Sequence, residues 1–143
     1  MIAALMFVAG MGIPLMAVLN AGLGQQIGSP VAASAILCGA SFVLTGAMLL
    51  AVGLPARDAF AGVPPYYYAA ALGFVLYILA ITWSAPRIGL GTAVFIVLLG
   101  QLTAAAVIDH FALFGAIRSA MTWRRGLGIV MMVLGVYLAR KPQ

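Results

Sequence analysis

The chain has 143 residues, of which 66% are hydrophobic and 6% charged, with a formal net charge of +5. A water-soluble domain carries charge on about a quarter of its residues, so this composition excludes a protein surrounded mainly by water. Transmembrane β-barrels alternate polar and apolar side chains; the long unbroken apolar runs here exclude them too and leave helices, which satisfy their own backbone groups in lipid.

A hydrocarbon core of ~30 Å takes about 20 apolar residues per helix, and on that measure five spans can be read. The first covers residues 2–19 and has no charged side chain. It therefore lacks the basic lead-in of a secretory signal and reads as a membrane helix. Pro14 lies inside it, beside Gly10 and Gly12. Proline removes a backbone bond and crowds the carbonyl four residues back, that of Gly10. This predicts a kink or a loosened turn and gives Pro14 and Gly10 a gating role, because interrupted helices mark transporter sites. Asn20 follows, as a helix-end cap or as a residue at the mouth of a cavity. The turn "NAGLGQQIGSP" then leads to the second span, residues 31–53. Cys38 is the only cysteine, which excludes a disulfide within the chain and a cysteine-based metal site.

After "LPARDAFAGVPP", the third span covers residues 66–84 and is stopped by Pro86-Arg87. Its opening residues Tyr66, Tyr67 and Tyr68, with Trp123 later in the chain, suit an aromatic belt at the headgroups. Within this span Tyr77 and Trp83 are candidate apolar walls of a cavity. The fourth span, residues 89–108, holds Gln101 near its middle. An amide at that depth either lines a polar cavity or bonds across to another helix. Asp109 lies eight residues on, roughly 80° around a helix of 3.6 residues per turn. A carboxylate at a span's edge is a functional candidate by default, carrying a proton or pairing with Arg118, Arg124 or Arg125. His110 beside it is a second candidate for a coupling or structural charge. "FALFGAI" reads as a short interfacial piece. The fifth span covers residues 121–139, with Arg124 and Arg125 reaching to the headgroups. Gly128 and Gly135, seven apart, offer a close-packing dimer face.

Five spans put the termini on opposite sides. Arg57, Arg118, Arg124 and Arg125 fall on one side, and Arg87, Arg140 and Lys141 on the other. The difference, 4 − 3 = 1, gives almost no orientation signal under the positive-inside rule. A chain without a preferred orientation can insert both ways up and pair with an inverted copy of itself. That pair would supply the two inverted repeats that many transporters hold in one chain.

Other classes fit poorly. There is one His and no Glu, and Asp58, Asp109 and His110 build neither a carboxylate pair nor a metal cluster, so no catalytic residue, metal or cofactor is expected. "GLGQQIG" and "GLGT" miss the dinucleotide spacing and its strand context. No basic stripe interleaved with aromatics points to nucleic acid.

Three stretches carry a resemblance: "GIPLMAVLNAGLGQQIGSPVAA", "APRIGLGTAVFIVLLGQLTAAAVIDHFALFG" and "RRGLGIVMMVLGVYLA". With "PRIG", "GQL" and "DHF" in that order, the chain resembles the YdcZ-like proteins, small five-helix members of the drug/metabolite transporter (DMT) superfamily. The resemblance implies an all-α, integral inner-membrane half-transporter that forms an antiparallel homodimer. Helices one to four of each half would line a central cavity, with the fifth outside. Pro14, Asn20, Gln101, Asp109 and His110 fall on positions that match the family pattern. The family has a Gln where this chain has Met16, and a Gly pair where it has "AAALG". The first departure makes Met16 a more apolar substrate contact. The four-helix multidrug exporters of the superfamily carry a buried Glu in helix one; this chain has none, so their proton exchange does not transfer.

The expectation is thus a dual-topology homodimer in the lipid bilayer that moves a small organic metabolite or amphipathic compound by alternating access. Its substrate contacts would be Gln101, Asn20, Tyr77, Trp83 and Met16. The alternative is a non-transporting membrane scaffold, or one half of a heteromeric transporter.

Overall fold

The computed structural model describes residues 1–139; Arg140 and Lys141 of the charge count lie outside the described residues. The chain is all-α. Five helices are α1 (Ile2–Gln26), α2 (Pro30–Val52), α3 (Ala70–Ile88), α4 (Leu90–Phe111) and α5 (Trp123–Ala139). Short 3-10 turns at Arg57–Phe60, Pro65–Ala69 and Leu113–Gly115 punctuate the connections. Among the described residues four segments are long and apolar enough to cross a membrane: Ile2–Gln26, Pro30–Val52, Pro65–Ile88 and Leu90–Phe111. The described part of α5 is 17 residues, about 25 Å at 1.5 Å per residue.

The described residues divide into two compact units, one of residues 1–87 and one that begins at residue 88. In the first, α1 runs unbroken through Pro14 and continues past Leu19 to Gln26. Asn20 therefore sits inside the helix, not at its end. The helix stops at Gly28, whose φ of +69° is left-handed backbone open to glycine. Ser29 then caps α2: its Oγ accepts from the Ala32 N–H at 3.1 Å, and Pro30 takes the first turn, where a missing N–H costs nothing. A connection this short brings α1 and α2 alongside each other.

The packed core of this unit gathers Ala17, Asn20, Ala21 and Gly24 of α1, Ala33 and Ser34 of α2, and Ile78, Ile81, Thr82 and Ala85 of α3. Small side chains on α1 and α2 let the backbones approach, as membrane helices do in the absence of a hydrophobic drive. Gly24 is a point of close approach. A Cβ there would lie 3.3 Å from the Pro30 Cα, 3.4 Å from the Thr82 Cγ2 and 3.6 Å from the Ala33 Cβ. Other small residues at four-residue spacing, Ala35 and Gly39 on α2 and Ala69 and Gly73 around the start of α3, are exposed instead.

Pro86 does not stop α3, which passes through it to Ile88. A proline in the last turn forfeits one bond, to the Thr82 carbonyl four residues back. The break comes at Gly89, where φ is +82°.

In the second unit, α4 packs on α5. The expected interfacial piece is a tight turn. Ala112 (φ 49°) and Phe114 (φ 55°) both take left-handed backbone, followed by Gly115 at φ 81°. A side chain pays roughly 1–2 kcal/mol there relative to right-handed helix.

Candidate functional site

Asn20 and Thr82, 62 residues apart, meet inside the first unit. The Asn20 Nδ2 donates to the Thr82 Oγ1 at 2.7 Å, with both residues buried at 5% and 2% exposure. This is a side-chain bond between α1 and α3. In lipid, an unpaired amide on α1 would have no water to turn to, so the bond also fixes which faces of these two helices meet.

A cavity of about 280 Å³ lies beside this pair. Its walls are Ala21, Gly24, Gln25, Pro30, Thr82, Pro86 and Arg87. The volume stands close to the lower end of the ~300–1,000 Å³ typical of small-molecule sites. The last turn of α1, the first of α2 and the last of α3 form it. Gln25 reaches it because α1 extends two turns further than the apolar run requires. Arg87 supplies its charge. The Arg87 guanidinium carbon lies 4.1 Å from the centroid of the Trp83 ring, and its Nη1 donates to the Trp83 carbonyl. Stacking on an aromatic face and bonding one turn back hold a long side chain in one place.

The other proposed substrate contacts are placed as follows. Met16 and Tyr77 are half-buried in the first unit. Trp83 is 55% exposed and serves as the platform for Arg87. Pro14 is half-buried and Gly10 exposed. Gln101 lies in the second unit, on an exposed face of α4, and has no hydrogen-bond partner among the described residues. By contrast Thr103, two residues on, donates to the Leu99 carbonyl at 2.8 Å. A hydroxyl can satisfy itself on its own helix in this way, whereas Gln101 does not.

Asp109 and His110 sit at the end of α4 and hold the turn that follows. The Arg125 Nη2 donates to the Asp109 Oδ2 at 2.8 Å, so of the three arginines offered to this carboxylate, Arg125 is the partner. The Asp109 carbonyl accepts from the Ser119 N–H at 2.9 Å. Arg125 also reaches the Ser119 Oγ at 3.2 Å. The His110 Nδ1 accepts from the Met121 N–H at 3.1 Å, which places the proton of the neutral ring on Nε2. These bonds clasp the end of α4 to the start of α5. Gly128 and Gly135 line an apolar groove of about 470 Å³ between α4 and α5, with Phe95, Leu98 and Met131 among its walls. A Cβ at either glycine would meet open space. Among the described residues no group of three His, Cys, Asp or Glu is placed to hold a metal ion.

Sequence reasoning missed Thr82, Gln25 and Arg87 as residues of a site. Thr82 stands in an apolar run with nothing polar nearby to draw attention. Gln25 reads as loop when the helix is ended at Leu19, and Arg87 reads as part of the stop after the third span. The one available signal was the pairing of Asn20 with a second buried polar group, which spacing alone does not locate.

A family model described as "Putative inner membrane exporter, YdcZ" (DMT_YdcZ) matches residues 1–138. No curated protein and no solved structure matches the chain.

Proposed function

We propose, from the premise that this chain belongs to the DMT_YdcZ family, that it is one half of an exporter and works as an antiparallel homodimer. It is a multi-pass inner-membrane protein with four helices long enough to span. The observation that carries the transport reading is the buried Asn20–Thr82 bond beside a cavity whose largely apolar wall carries Gln25, Thr82 and Arg87. A polar recess among membrane helices is costly to maintain and is ordinarily functional. The solute is a small organic metabolite or amphipathic compound, moved by alternating access. In this reading the Asn20–Thr82 bond holds the wall, Met16, Tyr77 and Trp83 are apolar solute contacts elsewhere on the path, and Pro14 with Gly10 loosens α1 for gating.

Two features support a second copy. The most apolar stretches of the four spans are only 6%, 0%, 22% and 11% buried within the chain, and Gln101 is a midspan amide without a partner among the described residues. A second copy in the opposite orientation keeps Gln101 near its own depth and offers it an equivalent amide. Asp109, paired with Arg125, is a structural charge in this scheme, and the Gly128–Gly135 groove is available for packing between copies. Lipid covering these faces around a heteromeric half or a scaffold is the competing account.

Impermeant labelling of single cysteines near each terminus, in a Cys38→Ala background, tests orientation. Labelling of both ends from one face is expected. One end alone would mean a single orientation and would remove the inverted pair. Proteoliposome uptake with small carboxylates, amines and neutral aromatics tests transport. Failure of every class to move would favour the scaffold.

A further inference from the structure

We infer that the cavity beside Thr82 takes the oxyanion head of a small solute, a carboxylate in the first instance, with Arg87 as its charged contact. This rests on the transport reading above and adds the solute's chemical class. Arg87 is the one charged residue in the cavity wall. The sequence has two acidic residues, and neither lines the cavity: Asp109 pairs with Arg125, and Asp58 lies in the Arg57–Phe60 turn. Among the described residues no carboxylate forms an ion pair with Arg87. Its guanidinium has five N–H donors in a planar fork, and the Trp83 carbonyl engages one nitrogen. The remaining donors are held in place by the ring beneath them, a geometry suited to two-point binding of a carboxylate.

Thr82 adds an independent observation. Ser34, Thr45, Ser84 and Thr103 each donate their hydroxyl to the carbonyl four residues back. Thr82 does not. Its Oγ1 is engaged by the Asn20 side chain instead, in a residue only 2% exposed. That leaves in the cavity wall a buried hydroxyl that is not committed to its own helix and can turn its proton to an acceptor there. Gln25 offers two further N–H donors at the same wall. Cation, hydroxyl and amide together favour an oxyanion over an ammonium group, for which the wall supplies no carboxylate.

The test uses the full chain in phosphatidylcholine nanodiscs, with 4-phenylbutyrate, its neutral amide and the corresponding amine as probes. A ligand that binds the folded state raises the thermal unfolding midpoint. The carboxylate is expected to raise it in a saturable way, with the amide and amine much weaker. Arg87→Gln should weaken the apparent affinity by about tenfold or more, the size of a lost charge-assisted bond, and Arg87→Lys should restore part of it. Helix content by circular dichroism confirms that both variants fold. Equal stabilisation by the amine, or an unchanged response in Arg87→Gln, overturns the inference. Adding phosphatidylglycerol separates a second source of the same chemistry. If that lipid alone stabilises the chain through Arg87, the head belongs to lipid and the solute inference falls. Uptake of only neutral or cationic compounds by proteoliposomes sinks the anion and leaves the transporter standing, whereas no uptake of any class sinks the transporter.

Discussion

Thr82 shows how much a single hydroxyl decides in a chain this apolar. Replacing Asn20 with Leu or Thr82 with Val removes one partner and leaves the other buried. Polar bonds between membrane helices average about 0.6 kcal/mol and reach ~1.7 kcal/mol. A double-mutant cycle on Asn20→Leu and Thr82→Val, read by unfolding in detergent, is expected to return a coupling energy in that range. Zero coupling would mean the two residues do not act together. Asp109 differs in kind. Its side chain is 30% exposed and that of Arg125 is 39% exposed, so solvent screens the pair and it contributes at most about 1 kcal/mol. Asp109→Asn should therefore fold, with a modest loss of stability that shrinks as salt is raised. Asn20, Asp109 and Gln101 stand out in the sequence because polar residues are conspicuous among apolar ones. Which of three arginines meets Asp109 is not written in their spacing, because all three lie within reach of the same turn.

Among the elements, α1 and the turn after α4 carry the sharpest expectations. Gly24→Leu places a side chain where the Pro30 backbone and Thr82 leave no room. Overpacking costs roughly 1–3 kcal/mol, and the unfolding midpoint should fall accordingly. The turn offers the reverse case. Ala112 holds φ 49° at the end of α4, where glycine carries no side-chain penalty, so Ala112→Gly should raise stability by about 1 kcal/mol. A lower midpoint would show that the turn is not strained there. For Pro14, substitution with alanine restores a bond to the Gly10 carbonyl. Reduced uptake with unchanged helix content is expected if α1 gates transport. Helices were legible from run length, but their ends were less so. Pro86 looks like a stop and is not one, because a last-turn proline sacrifices a single bond while the left-handed Gly89 changes the chain's direction.

For the whole molecule, the question is what covers Gln101. An amide in mid-span with no partner among the described residues is satisfied by another helix or by water in a cavity. Under the proposed homodimer, Gln101→Leu should lower the dimer fraction severalfold, measured by energy transfer between labelled copies at fixed protein-to-lipid ratio. An unchanged fraction would take Gln101 out of the interface.

Composition and run length by themselves determined that lipid surrounds this chain and that helices cross it, because both follow from the local cost of leaving backbone and charge without water. Tertiary structure alone decided that Asn20 meets Thr82, that Arg87 borders a cavity and that Arg125 holds Asp109. A helix in lipid is apolar on every side, so its sequence carries little record of which face another helix will cover. That choice is made where the helices approach each other, at small residues such as Gly24 and at the few polar groups with something to bond.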